Sequence, residues 1–371
     1  MLKSPIFIQK SAFIAAVDSF TIQPQHAQFT VENNALVSRI NPKDEERLQS
    51  FLETHSSYKN LDRSVQLALL CAQDLGVNNT QTAVNIGSSR GATGLWENFY
   101  SRFRESGTVP TPTSPLTTLG NISSWVAQDL DLKGMAMSHS ITCATASHAI
   151  VNGIAWLESG MAQQVIAGGS EAPLTEFTIA QMKALRIYSE AINDEYPCKA
   201  LDVEKKENSM ILGEAAALLL LSKKQENTNI AITGYGTAIE PLTSATSVSD
   251  TGTCLQESMK QAIGKTPLSD IDAVITHAPG TIKGDRAELN AIKKLFGSTT
   301  PILCNNKWQV GHSLGASGAL SVCMAIEMLE KQCIVSPPYL NNHKINTAQK
   351  ILVNATGFGG NAVSLLIEKL K

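Results

Sequence analysis

No stretch of this sequence is long and apolar enough to span a bilayer, which takes about 18–20 residues. The run 215–221, closed by Glu214 and Ser222, is far too short. Neither sign of charge is in excess: 30 basic and 33 acidic side chains leave a formal net charge of −3, with no long run of either. Nothing therefore calls for nucleic acid or an anionic membrane surface as a partner. Gln9 and Lys10 break up the apolar residues of the first twenty, so no secretory leader is expected and the location is expected to be cytoplasmic. The seven cysteines form no Cys-x-x-Cys pair and are odd in number, so they read as thiols and not as a disulfide framework. Closely spaced cysteine and histidine pairs of a structural zinc site are missing too, and no metal is expected. What is present is ordinary globular composition, 43% apolar and 17% charged over 371 residues, with room for a substantial core.

Short β-branched or apolar runs at 82–86, 164–167, 216–221, 229–232, 273–276 and 351–354 predict buried strands. Helical periodicity at 61–75, 146–158, 285–296 and 315–330 alternates with them. The alternation predicts a layered α/β protein whose sheet is covered on both faces. Cys143-Ala-Thr-Ala-Ser-His-Ala leads into a helix ending near Glu158, and His312-Ser-Leu-Gly-Ala-Ser-Gly-Ala into one ending near Glu330. This pairing suggests an internal duplication with a reactive side chain at each helix start. The polar segment 223–229 is the expected seam between two closely packed halves, 1–229 and 230–371.

Cys143 follows a possible strand end at 135–138 and precedes a small-residue helix, which makes a strand-to-helix elbow. There the helix N-terminal charge and free N–H groups favour thiolate and can hold an oxyanion. A buried structural cysteine is the alternative. His277 follows an apolar strand and opens a Pro/Gly loop at its carboxyl end, where α/β sheets place chemistry. His312 stands in Gly-His at another helix start. Taken singly, each histidine also reads as a satisfied core or loop residue. The segment Gly87-Ser-Ser-Arg-Gly-Ala-Thr-Gly94 lacks the Gly-Lys-Ser/Thr ending of a phosphate loop and reads as a tight turn after a strand.

Taken together, these motifs resemble the β-ketoacyl-[acyl carrier protein] synthases of the two-histidine, elongating kind. The family carries Ala-Cys-Ala/Thr-Thr/Ser with a histidine five positions on; here Thr142 stands for the alanine, followed by Cys143, Ala144, Thr145 and His148. His277, Thr281, Gly284, Asp285 and Glu288 match the first histidine motif, although Ala278-Pro279 replaces its Gly-Thr. Lys307, Gly311, His312, Gly315, Ala316 and Gly318 match the second, and Gly357-Phe358-Gly359-Gly360-Asn361 the glycine loop, one threonine short. The segment 198–214 resembles the family's Arg-Pro-Phe-Asp stretch only loosely.

The resemblance implies a thiolase-like fold of duplicated halves in five α-β-α-β-α layers. It also implies a decarboxylating condensing enzyme, with Cys143 as nucleophile and His277, His312 and Lys307 as catalytic residues. Cys143 and Phe358 would supply the oxyanion N–H groups, with Phe358 gating, and Glu288, Gly311, Gly357 and Gly359 would support. No cofactor is implied, since the phosphopantetheine arm comes with the acyl carrier protein. The chain is expected to dimerise, with itself or with a chain-length-factor paralogue, and 115–134 to help line the acyl pocket. The loose match of 198–214 and a chain somewhat shorter than a housekeeping elongation enzyme favour a specialised polyketide or aryl polyene member. A thiolase would need a second cysteine in 356–360, and an initiating synthase an asparagine in place of His312. The alternative of another class is a non-catalytic chain-length factor, which typically lacks the nucleophile.

Overall fold

The computed structural model describes residues 2–21, 29–119, 121–241, 244, 249–340 and 347–371. Ten strands join one sheet: β1 (Ile6–Ile14), β2 (Ala83–Gly87), β3 (Ala136–Met137), β4 (Gln164–Glu171), β5 (Ala215–Ser222), β6 (Ile230–Ile239), β7 (Ala273–Ile275), β8 (Ile302–Cys304), β9 (Lys350–Gly357) and β10 (Asn361–Lys369). Their lateral order, β8-β7-β9-β10-β6-β1-β5-β4-β2-β3, is one pattern written twice. β1 runs antiparallel to β5 and β5 antiparallel to β4, after which β2 and β3 continue parallel to β4. β6, β10, β9, β7 and β8 repeat those relations in that order. The two five-stranded units meet edge to edge at Ile6↔Ile232 and Phe7↔Ala231.

The helices that position the site are α1 (Arg63–Gln73), α2 (Thr93–Ser106), α3 (Asn121–Asp129), α4 (Thr145–Ser159), α5 (Glu176–Ala184), α6 (Thr253–Ile263), α7 (Ile282–Phe296) and α8 (Ser317–Lys331). α4 and α8 pack on each other and on strands of both units. α1 and α3 cover the outer face of the first unit, α6 and α7 that of the second, giving five layers. A helix in the middle layer has no solvent side, which is why 317–326, 328 and 329 of α8 are all buried. Gly318 is required at the helix crossing, because a Cβ there would collide with the Ser147 side chain of α4. β5, Ala-Ala-Ala-Leu-Leu-Leu-Leu-Ser, is buried at every position, as a strand covered on both faces must be.

The six strands and four helices expected from the sequence are present, with their ends moved by a few residues, and the layered arrangement is the expected one. β1, β8 and β10 were not foreseen. In β1 the breakers Gln9 and Lys10 fall where the register against β5 shifts, so an irregular strand hid its own pattern. β6 runs well past 232 because Gly234 and Gly236, which lower strand propensity, let α6 lie directly on the strand; a Cβ at either would strike an α6 carbonyl. A second sheet of Thr30–Glu32, Ala35–Ser38 and Leu212–Gly213 lies beside the site, and Leu212 bridges to His312. No helix among the described residues is long and apolar enough to cross a membrane.

Candidate active site

Cys143 sits in the elbow between β3 and α4. Thr142, just before it, has φ +51°, a left-handed conformation costly for a β-branched residue. The turn is held from inside: the Thr142 carbonyl accepts from Thr145 N (3.2 Å) and Thr145 Oγ1 (2.6 Å), and Thr145 Oγ1 accepts from Ile141 N (2.9 Å). Cys143 is partly exposed and faces a cavity of about 510 Å³ that His277, His312, Met210 and Phe358 also line. The expectation that the elbow favours thiolate is corrected here. Burial, reinforced by the Glu171 carboxylate and only partly opposed by Lys307, pushes the thiol up to about 12.

His277 lies just past β7. Its backbone N–H and that of Ala278 donate to the two oxygens of Glu288 (3.0 and 2.7 Å). His312 follows the short helix Lys307–Val310 and Gly311, whose φ of +64° makes the turn; its N–H donates to Ile211 O (2.7 Å). The two imidazoles are buried, 5.2 Å apart between centroids and nearly perpendicular. Burial and the Lys307 charge hold His277 well below the ordinary imidazole range and bring His312 to about 3, so both are neutral near pH 7. Among the described residues His312 Nδ1 has no hydrogen-bond partner in the protein. Lys307 is 1% exposed and lowered to about 8 by its own burial, against the pull of Glu288. Its Nζ lies 3.5 Å from Thr276 O, so its link to Glu288 is through charge and not a direct ion pair.

Phe358, Gly359 and Gly360 form the tip of the β9–β10 hairpin, with the two glycines at φ +97° and +68°. Phe358 is 41% exposed on the cavity wall. Gly357 lies against the elbow: a Cβ there would collide with Thr142 Oγ1 and come within 2.9 Å of Cys143 N. The hairpin tip and the cysteine are therefore in contact, with one threonine fewer in the loop than the family motif has.

The structure thus brings Cys143, His277, His312 and Phe358 to one cavity and sets Lys307 and Glu288 behind the histidines. Sequence reasoning missed Glu171. This fully buried acid accepts from Ser88 Oγ, Ser89 N and Oγ, Arg90 N and Gly315 N (2.6–3.1 Å), so the Gly87–Gly94 turn wraps an internal carboxylate. An acid closing an apolar strand was the available signal. It also missed Asn354, which donates to Glu288 (3.0 Å), and Lys205, whose buried pair with Asp285 (2.6 Å) ties the 198–205 segment to the His277 loop.

Two units of like topology around a shared helical layer, with a thiol and two imidazoles at their junction, define a thiolase-like fold of the ketosynthase kind. The family descriptions "Beta-ketoacyl synthase, N-terminal domain" and "Beta-ketoacyl synthase, C-terminal domain" match residues 32–227 and 230–343, and the chain belongs to the β-ketoacyl synthase family. It is 27% identical over 339 residues to 3-oxoacyl-[acyl-carrier-protein] synthase 1 of Buchnera aphidicola, covering 84% of this chain and 81% of that one. Further relatives of related name match over 56% to 83% of their own length. Among solved structures, the ishigamide ketosynthase/chain length factor superposes with a TM-score of 0.84 at 17% identity over 100% of both chains. A ketosynthase in complex with its chain length factor from Xenorhabdus doucetiae gives 0.80 at 20% identity, over 99% of this chain and 98% of that one.

Proposed function

We propose that this chain is a β-ketoacyl-[acyl carrier protein] synthase that extends an acyl chain by decarboxylative Claisen condensation. The Cys143 thiol attacks the acyl thioester of one carrier protein, and its proton passes by way of an imidazole on the same cavity to the departing sulfur, so that the carrier leaves as its thiol and the ring is neutral again. Malonyl carrier protein then occupies the cavity. Breaking its bond to the terminal carboxylate releases CO₂ and leaves an enolate, whose charge develops on the thioester oxygen. His277 and His312 donate N–H bonds to that oxygen. The enolate carbon attacks the Cys143 thioester, and the tetrahedral oxyanion is held by the N–H groups of Cys143 and Phe358, each such donor being worth about 3 kcal/mol of barrier. Collapse frees the β-ketoacyl carrier protein and the Cys143 thiolate, which takes up a proton.

The observation that carries this reading is the pair of imidazoles: neutral, perpendicular and 5.2 Å apart on the cavity that Cys143 faces. Neutral rings offer N–H donors without a fixed positive charge that would compete for the malonyl carboxylate. Burial, reinforced by the Lys307 charge, keeps them neutral, and Glu288 fixes the His277 backbone. Gly311, Gly357 and Gly359 supply turns and close approaches that a side chain would block. The phosphopantetheine arm arrives with the carrier protein, and a second chain, identical or a chain-length factor, is the expected structural partner. A specialised polyketide or aryl polyene substrate range fits the loose match of the 198–214 segment. Division into 1–229, carrying Cys143, and 230–371, carrying both histidines, is supported by the repeated strand order and by β6 beginning at Ile230.

Intact-mass spectrometry after incubation with acyl carrier proteins of several chain types tests the reading. An acyl adduct on the wild type, gone in Cys143→Ala, is expected. No adduct from any donor, with or without a co-purified paralogue, would overturn it in favour of the non-catalytic chain-length-factor role.

A further inference from the structure

The residue before Cys143 is a threonine where the family motif has alanine, and it is held at a φ that threonine avoids. Strain of this kind persists only where surrounding contacts enforce it, and it gathers at functional sites. Its hydroxyl makes a defined contact: Thr142 Oγ1 donates to the Phe358 carbonyl at 3.0 Å. Asn361 Nδ2 donates to the same carbonyl at 2.9 Å and lies 3.5 Å from Thr142 Oγ1. Gly357 is the only residue that fits above that hydroxyl, since any Cβ there would strike it. Gly359 and Gly360 are both left-handed, and the Gly360 carbonyl is held from the far side by the Glu240 N–H at 2.9 Å, which leaves Phe358 between the two anchors.

We propose that Thr142 is a positioning residue of the condensing site, whose hydroxyl latches the Phe358 tip of the β9–β10 hairpin closed over Cys143. The inference rests on Cys143 being the nucleophile. The latch joins the elbow that carries one oxyanion N–H to the loop that carries the other, so one hydrogen bond sets their separation. The same bond must break for the hairpin tip to swing away and admit a bulky second thioester. Alanine at this position would make no such bond, and the Phe358 carbonyl would then keep only the Asn361 amide.

Three variants separate the hydroxyl from the shape of the side chain. Thr142→Ala removes both hydroxyl and branch, Thr142→Val removes the hydroxyl and keeps the branch, and Thr142→Ser keeps the hydroxyl. The readout is the rate of Cys143 alkylation by N-phenylmaleimide relative to iodoacetamide on the full chain, mapped by peptide mass. One ordinary hydrogen bond shifts an open–closed equilibrium by about three- to tenfold. Ala and Val are expected to raise the ratio by that factor, and Ser to restore it. In condensation assays Ala and Val should lower both kcat and the KM for the malonyl donor. An unchanged ratio in both Ala and Val, with only the melting temperature moved, would overturn the latch, as would Ser behaving like Ala. The alkylation ratio needs no carrier protein. A Thr142-dependent ratio on a chain that takes no acyl group would keep the latch and remove the synthase; an acylated chain with a constant ratio would do the reverse.

Discussion

His277 and His312 lie where an imidazolium is penalised by burial and by Lys307, which has a consequence for stability as well as chemistry. In the unfolded chain both rings titrate near 6.5. Between pH 7 and 5 the unfolded state therefore takes up protons that the folded state refuses, and stability falls as pH falls. For His312, whose folded value is about 3, the loss over that window is about 2 kcal/mol. Buried carboxylates such as Glu171 and Glu288, held above their ordinary range, act in the opposite sense, so the comparison needs a variant. His312→Asn should lessen the fall in urea-unfolding stability from pH 7 to 5 by about 2 kcal/mol; parallel pH curves for variant and parent would show that the histidine titrates normally. Residue identity at this site was readable because Cys143, His277 and His312 stand in short contiguous motifs. Their electrostatics were not readable. The elbow argument for a thiolate counts the helix N-terminus and omits the burial and the Glu171 charge, which come from elements distant in sequence.

At the scale of elements, one buried polar string runs from α6 to α7 through two strands. Ser258 of α6 and Ser364 of β10 are 2.9 Å apart, Ser364 Oγ donates to Asn354 Oδ1 of β9 (2.8 Å), and Asn354 Nδ2 donates to Glu288 Oε1 of α7 (3.0 Å). Every member is at most 1% exposed. Asn354→Leu would leave the Glu288 oxygen and the Ser364 hydroxyl short of a partner, costing about 1–3 kcal/mol in denaturant unfolding. Because Glu288 holds the His277 backbone and not the cysteine, the variant should slow malonyl condensation more than acyl loading in single-turnover assays. Equal losses in the two steps would contradict that division of labour. No sequence pattern announced this string, since Asn354 looked like the end of an apolar strand and its partner Glu288 lies 66 positions away. The strands themselves were legible for the opposite reason: residues buried on both faces write an unbroken apolar run, and β5 is the clearest case. β1 and β6 were blurred where a register shift and packing glycines interrupt that run.

The whole molecule has a duplicated frame but unequal ends. β3 closes one end of the ten-strand order with two exposed residues, paired to β2 on one side and to no strand among the described residues on the other. Edges of this kind template pairing with another chain unless something covers them. Met135 and Met137, which flank and end β3, are exposed, and α2 of the same half shows Trp96, Tyr100 and Phe103, with Trp96 stacked on Tyr100 at 5.6 Å. Spacings of four and three place the three aromatics on one helix face. The segment 115–134, implied to line the acyl pocket, joins these elements; Gly120 within it lies outside the described residues. A second chain is expected on this end. Light scattering at micromolar concentration should give twice the 39.8 kDa chain mass, or a one-to-one complex when a paralogue is co-expressed. Trp96→Glu combined with Phe103→Glu should give monomers with unchanged far-ultraviolet circular dichroism, since neither side chain belongs to the buried core. A wild-type chain that stays monomeric alone and with every paralogue would refute the dimer, and a variant that still dimerises would move the interface away from α2.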